Sequence, residues 1–179
     1  MTGIAPLSRF ARLAAVLACL STAAAAAPVT PGTTEFAYGY FCALEPVGEG
    51  VAENTISGTV SFVAGRPVFL RTGSLVPAQL GIGFGVHVRV QPQFSGPVSV
   101  SVEHPPMGPN GVTSQGWTTE LSAEELQYLG YTFDVDYEMV QGGWTMSATA
   151  NGRLIYEVSF NVVDAAVLPA VECGNTPIS

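Results

Sequence analysis

Gly142-Gly-Trp-Thr-Met-Ser-Ala-Thr-Ala-Asn-Gly-Arg-Leu-Ile-Tyr-Glu-Val-Ser-Phe-Asn-Val-Val163 is the stretch whose reading decides the fold. It predicts one long β-hairpin. A two-residue turn at Asn151-Gly152 would set Met146 against Glu157 and Trp144 against Ser159, mixing apolar and polar side chains on the core face. A three-residue loop that includes Ala150 pairs Ala148 with Leu154, Met146 with Tyr156 and Trp144 with Val158. The opposite face then carries Thr149 with Arg153, Ser147 with Ile155 and Thr145 with Glu157. One residue of slip moves every side chain to the other face, so the second register is the expected one. Gly152 supplies the left-handed conformation that such a loop needs. A hairpin with one aromatic face is marginal alone and calls for a second sheet.

Working outward, Gly81-Ile-Gly-Phe-Gly-Val-His-Val-Arg-Val90 has the cleanest alternation in the chain. Ile82, Phe84, Val86, Val88 and Val90 share one face, and Gly81, Gly83, Gly85, His87 and Arg89 the other. Val98, Val100 and Val102 line the next strand, expected to pair with the first as a second hairpin facing Trp144, Met146, Tyr156 and Phe160. Glu35 to Cys42 is an aromatic strand, and Thr55 to Val63 and Val68 to Thr72 are further strand segments. Val76 to Leu80, interrupted by Pro77, fits only an edge or a connection. Glu45 to Asn54 reads as an acidic, glycine-rich exposed loop. Ser122-Ala-Glu-Glu125 has capping-box spacing and predicts a helical turn or two ending at Gly130. Tyr131 to Val140 alternates once more, with Asp134, Asp136 and Glu138 on its wet face.

These elements predict an all-β fold, an antiparallel immunoglobulin-like β-sandwich of seven to nine strands with at most one short helix. A small closed barrel is the alternative. The domain spans 35–165, preceded by a flexible leader at 28–34 and followed by an extended tail at 166–179.

Residues 1–27 have the make-up of a signal peptide: Arg9 and Arg12, an apolar run from Leu13 to Leu20, and a small-residue Ala25-x-Ala27 site. A lipoprotein reading through Val16-Leu17-Ala18-Cys19 suffers from the bulk of Leu17 and leaves the alanine tract unexplained. The apolar run falls short of the roughly 20 residues of a membrane span. The expected setting is therefore exported, periplasmic or secreted. Without residues 1–27, four arginines face fourteen acidic side chains, a formal net charge of −10. That surface repels phosphate backbones and anionic lipid, excluding nucleic acid as a partner. Cys42 and Cys173 remain, and in an oxidising compartment an isolated pair reads as one disulfide. Closing a loop of that length stabilises by roughly 4–5 kcal/mol in the chain-entropy picture.

Candidate sites are few. Gly81-x-Gly-x-Gly85 has the wrong spacing and the wrong context for a phosphate loop. Its flat strip is better filled by a ring such as Trp117 or a neighbouring tyrosine, with a shallow ligand groove as the sharper reading. Asp134, Asp136 and Glu138 would sit about 7 Å apart along a strand, too spread for one cation. His87 and His104 are the available bases, but no Gly-x-Ser-x-Gly elbow accompanies them. His104 with Met107 offers two copper-type ligands and lacks a third. No catalytic residue, metal site or cofactor is assigned on these grounds. His104-Pro-Pro-Met-Gly-Pro-Asn-Gly111 reads as a stiff exposed loop, open to a cis bond at its prolines.

Val76-Pro-Ala78, Gly81 to Val86, His104 to Gly108 with Trp117, Glu138-Met-Val-x-Gly-x-Trp144 and Phe160-x-Val162 resemble an uncharacterised bacterial family of exported, immunoglobulin-like domains. The resemblance covers about residues 36–165 and implies the fold and the exported setting, with no catalytic residue to carry over. The expected function is a non-enzymatic module that binds a protein or cell-envelope partner through the 104–117 loop, with His104, Met107, Asn110 and Trp117 as its contact residues. The alternative is a small periplasmic hydrolase or a copper- or metal-handling protein using His104 or His87.

Overall fold

Alternating apolar side chains become two packed layers in the computed structural model, which describes residues 26–173. The strands are β1 (Thr33–Cys42), β2 (Pro46–Val51), β3 (Thr59–Val63), β4 (Arg71–Thr72), β5 (Leu75–Ala78), β6 (Ile82–Val90), β7 (Gly96–Met107), β8 (Val112–Leu121), β9 (Gln127–Thr132), β10 (Gly142–Ala150) and β11 (Arg153–Asp164). One sheet has the order β4-β1-β6-β9, the other β5-β11-β10-β7-β8, and β2 with β3 forms a separate ribbon. Every pairing is antiparallel except β5 with β11. Pro77 is accommodated on β5, an edge strand as expected. The strand number exceeds seven to nine because the acidic 45–54 segment, expected as a loop, supplies β2, and the short pieces β4 and β5 each find a partner.

The decisive hairpin is present in a different register. Asn151 and Gly152 both have positive φ, 50° and 72°, forming the two-residue turn that the sequence reading set aside. A bulge repairs the alternation. Thr149 pairs with Leu154 but Ala148 with Tyr156, so Ile155 is an extra residue on β11. Beyond it Met146 meets Val158 and Trp144 meets Phe160, apolar against apolar. Ile155 itself is buried beside Gly32 and Phe94.

β6 and β7 do not pair. A single 3-10 turn at Pro92–Phe94 carries the chain from one layer to the other, with Phe94 buried at that end. β7 lies beside β10 in its own sheet, Val102 opposite Met146. β6 faces them across the sandwich: the Phe84 ring centroid is 5.4 Å from Trp144, 4.9 Å from Phe160 and 5.6 Å from Phe133. Each such side chain contributes roughly 1.5–3 kcal/mol by leaving water.

Three further expectations are corrected. Residues 122–130 are not helical: Ser122 Oγ accepts from Glu124 N at 3.0 Å and Ser122 N donates to Gln127 Oε1, so these groups close the turn into β9. Residues 133–140 leave the sheet, and Asp136–Glu138 form a 3-10 turn, so the row of acids is broken up. The leader is tied down as well: Val29 exchanges hydrogen bonds with Glu157, and Gly32 N donates to Ile155 O.

The Cys42–Cys173 disulfide is formed, with Cα atoms 5.4 Å apart. It fastens the tail to the end of β1, helped by Gln79 Nε2 donating to Val171 O at 3.1 Å. The signal-peptide and Cys19 readings fall on 1–27, of which all but 26 and 27 lie outside the described residues, as does the tail beyond 173. No helix among the described residues is long and apolar enough to cross a membrane.

Candidate functional site

β7 and β8 form a hairpin whose ladder is regular from Gly96 opposite Leu121 to Glu103 opposite Ser114, then breaks before Met107 meets Val112. The break holds Pro105 and Pro106, which have no N–H to give a ladder. It also changes the parity. Val98, Val100, Val102 and His104 point inward, and so does Met107 where strict alternation would send Pro106. The first half of the segment expected as an exposed loop, His104 to Met107, is therefore strand. Only Gly108 to Gly111 make the turn, with Asn110 exposed at its tip. All described peptide bonds are trans.

His104 is buried, 6% exposed, and lies 4.7 Å from the Trp144 ring. Its Nδ1 is 2.9 Å from Pro105 O, which can only accept, so Nδ1 carries the proton. That leaves Nε2 to accept from Gln115 Nε2 at 3.1 Å. Gln115 is the hub: its Oε1 accepts from Ile56 N at 2.8 Å, and its amide also reaches Tyr131 Oη at 3.3 Å. The Tyr131 hydroxyl in turn donates to Glu138 Oε1 at 3.2 Å. Glu138 Oε2 accepts from Asp134 N at 2.7 Å and Val135 N at 3.2 Å, folding the acid back over the 133–140 turn. Met107 Sδ lies beside the same Gln115 amide and Tyr131 hydroxyl. Burial raises the Glu138 carboxyl, the backbone donors opposing it, and raises the Tyr131 phenol with the Glu138 charge adding to it. This polar core is closed among its own members, as buried polar groups require.

The other histidine differs. His87 is on the outer face of β6, stacked at 4.2 Å on Phe69, with Tyr128 edge-on at 6.5 Å. Desolvation lowers its pKa, Arg66 adds to that and the Pro67 carbonyl opposes it. Its Nε2 is buried without a hydrogen-bond partner among the described residues. The glycine strip beside it is filled, as the simpler reading expected, but by Phe41 rather than Trp117: a Cβ at Gly83 would run into the Phe41 ring, and one at Gly85 into the backbone of β9.

The chemistry this permits is limited. Neither histidine has a serine, cysteine or carboxylate among its hydrogen-bond partners. The two copper-type donors, His104 and Met107, both face the Gln115 amide. No group of three or more His, Cys, Asp or Glu able to hold a metal stands together among the described residues.

Two shallow grooves open on the outer face of the five-stranded sheet. The larger, about 620 Å³, has Ser99, Ser101, Ser114 and Gly116 in its lining with Val51 and Asn54 at the side, and Trp117 also lines it. The smaller, about 440 Å³, is lined by Glu103, Pro105, Thr113, Gly143 and Thr145 with His104 behind them. The four residues expected to make contacts thus divide. Asn110 is at the tip, Trp117 is half-buried by the large groove, and His104 and Met107 stabilise the hairpin from inside. Sequence reasoning missed Gln115, Tyr131 and Glu138. Gln115 was within reach: it shares strand parity with the buried Leu121, which marks it as an inward polar side chain needing partners.

Two packed sheets, antiparallel but for the β5–β11 pair, define an immunoglobulin-like β-sandwich. The chain belongs to the DUF3859 family, a domain of unknown function, whose family model matches residues 30–162. Among solved structures it is similar to an immunoglobulin-like protein of Pseudomonas aeruginosa, at 22% identity over 78% of this chain and 99% of that chain, with a TM-score of 0.49. No curated protein matches it.

Proposed function

We propose that the protein is a non-enzymatic, exported β-sandwich module that binds a protein or cell-envelope partner through the β7–β8 hairpin, residues 104–117. The observation that supports it is the division of labour on that hairpin. Its inner side is locked by the closed His104–Gln115–Tyr131–Glu138 network, while its outer side carries two open polar grooves and the Asn110 tip. Recognition is commonly carried by such elements on a rigid scaffold. The signal-like N-terminus and the Cys42–Cys173 bond support an oxidising, exported setting.

A photo-reactive side chain placed at Asn110 or Thr118 tests this in the native envelope. The control position is Gln93, in the 3-10 turn before β7, roughly 40 Å from Asn110 by strand rise and roughly 20 Å from Thr118, which stands opposite Ser99. A discrete adduct from positions 110 and 118 and none from 93 is expected. No adduct from 110 and 118, or the same adduct from all three, contradicts the reading.

A further inference from the structure

The β2–β3 ribbon is hydrogen bonded to neither sheet of the sandwich. We propose that this arm is a docking site for an extended, cationic segment of another protein, in which apolar residues alternate with lysine or arginine and which adds to the ribbon as a third strand. The arm borders the large groove through Val51 and Glu53 but is separate from the Asn110 tip, and the proposal does not rest on the role given to that hairpin.

The arm is anchored only at its base. Ala52 is buried, Asn54 O accepts from Gly116 N at 3.0 Å, and Ile56 N donates to Gln115 Oε1 at 2.8 Å. Beyond that base the ribbon projects with large apolar side chains in water: Val51 is 84% exposed, Val47 68% and Phe62 53%. Phe62 lies across Gly48 and Gly50, its ring 2.8 Å from where a Gly50 Cβ would be. On the other face Glu49 and Val51 stand opposite Ser61 and Thr59. A two-stranded ribbon is marginal alone, and both of its long edges present backbone N–H and C=O groups with no strand beside them among the described residues. A third strand satisfies one edge and covers the apolar side chains, the mode by which extended peptides add to sheets.

Charge selects the guest. Glu45, Glu49 and Glu53 are the only charged residues between Ala43 and Gly65, all exposed. None of them forms an ion pair among the described residues. A second copy of this chain would bring three like charges against three, on a molecule whose acids far outnumber its arginines. A basic strand would pair with those carboxylates while its apolar positions cover Val47, Val51 or Phe62.

The probe is a short synthetic peptide alternating valine and lysine, labelled for fluorescence anisotropy. The controls are a valine–glutamate peptide and a peptide of the same valine–lysine composition in two blocks. Binding of the alternating basic peptide alone is expected, weakening with salt. Loss of three exposed ion pairs in Glu45→Gln/Glu49→Gln/Glu53→Gln should weaken it by about tenfold. Phe62→Ser should weaken it further, and backbone NMR shifts should fall on residues 45–63. Unchanged thermal unfolding of these surface variants separates lost binding from lost folding. Equal binding of the acidic peptide, no effect of the variants, shifts confined to the β7–β8 hairpin, or self-association through the arm would each overturn the proposal. Cross-linking from Asn110 should be unaffected by the arm variants, so failure here and failure of the hairpin reading are separable.

Discussion

The two histidines, His104 and His87, sit against aromatic rings on opposite faces of the molecule's layers, and they are treated in opposite ways. His104 faces the interior with both ring nitrogens engaged, one by Pro105 O and one by Gln115. His87 faces outward under Phe69, partly desolvated, with Nε2 buried and unpartnered. The difference teaches where polarity is structural. Inside the β7–β8 hairpin the polar atoms hold strands together, whereas on the outer face of β6 the imidazole acts chiefly as a flat ring that fills space beside the glycine strip.

The largest way to break this contrast is Gln115→Leu. It strands His104 Nε2 and the Ile56 N–H at once and removes the donor to the Tyr131 hydroxyl, which keeps Glu138, and orphaned buried groups cost about 1–3 kcal/mol each before relaxation. A loss of about 3 kcal/mol in urea unfolding is expected; a loss below 1 would show that the network is incidental. Next, His104→Phe should cost about 2 kcal/mol, because it keeps the ring and deletes the acceptor for Gln115. His87→Phe should instead be neutral or stabilising by about 1 kcal/mol, since it removes an unpartnered buried nitrogen and keeps the stack on Phe69. Equal effects of the two substitutions, read by thermal unfolding, would erase the comparison.

A pH titration of stability sharpens it. The folded protein holds His87 below its usual 6.5, so the unfolded chain takes up that proton first as pH falls. The stability of the neutral ring is therefore complete above about 6.5 and is lost as pH falls toward the lower folded value. Glu138 has the reverse sign: its pKa is raised above 4.5, so stability is gained as pH falls through the folded pKa toward 4.5. His87→Phe should flatten the decline just below 6.5 and leave the Glu138 limb in place. The smallest expected effect is at Tyr156, a fully buried phenol with no hydrogen-bond partner among the described residues. Tyr156→Phe should leave stability unchanged or raise it by about 1 kcal/mol, and a clear loss would reveal a partner for that hydroxyl.

Much of the fold is legible in the residues because burial enforces period two. The inward faces of β6, β7, β10 and β11 follow from it, while the edge position of Pro77 follows from its missing N–H and the Cys42–Cys173 link from an isolated cysteine pair. What pattern alone does not carry is which sheet a strand joins: Val98 to Val102 presents the same valines whether it pairs with β6 or β10. Nor does it show bulges. Ile155 restores an apolar register to a turn that otherwise looks wrong, and the break at Pro105 and Pro106 turns Met107 inward against parity. Short-range signals mislead where a side chain prefers another partner: Ser122 and Gln127 close the bend into β9 instead of capping a helix, and Glu138 folds back onto Asp134 and Val135. The candidate site was half legible for the same reason. Asn110 and Trp117 could be placed from sequence near an exposed hairpin, but the Gln115 hub depends on contacts from Ile56, His104 and Tyr131, three separate parts of the chain.

The central claim is that the β7–β8 hairpin is braced from within, and native-state hydrogen exchange tests it most directly. Amides of Val102, His104, Gln115 and Trp117 should exchange as slowly as those of β6 in the intact protein, and Gln115→Leu should speed the hairpin amides while leaving β6 unchanged. Fast exchange at the hairpin of the intact protein, or a Gln115→Leu pattern identical to it, would contradict the account.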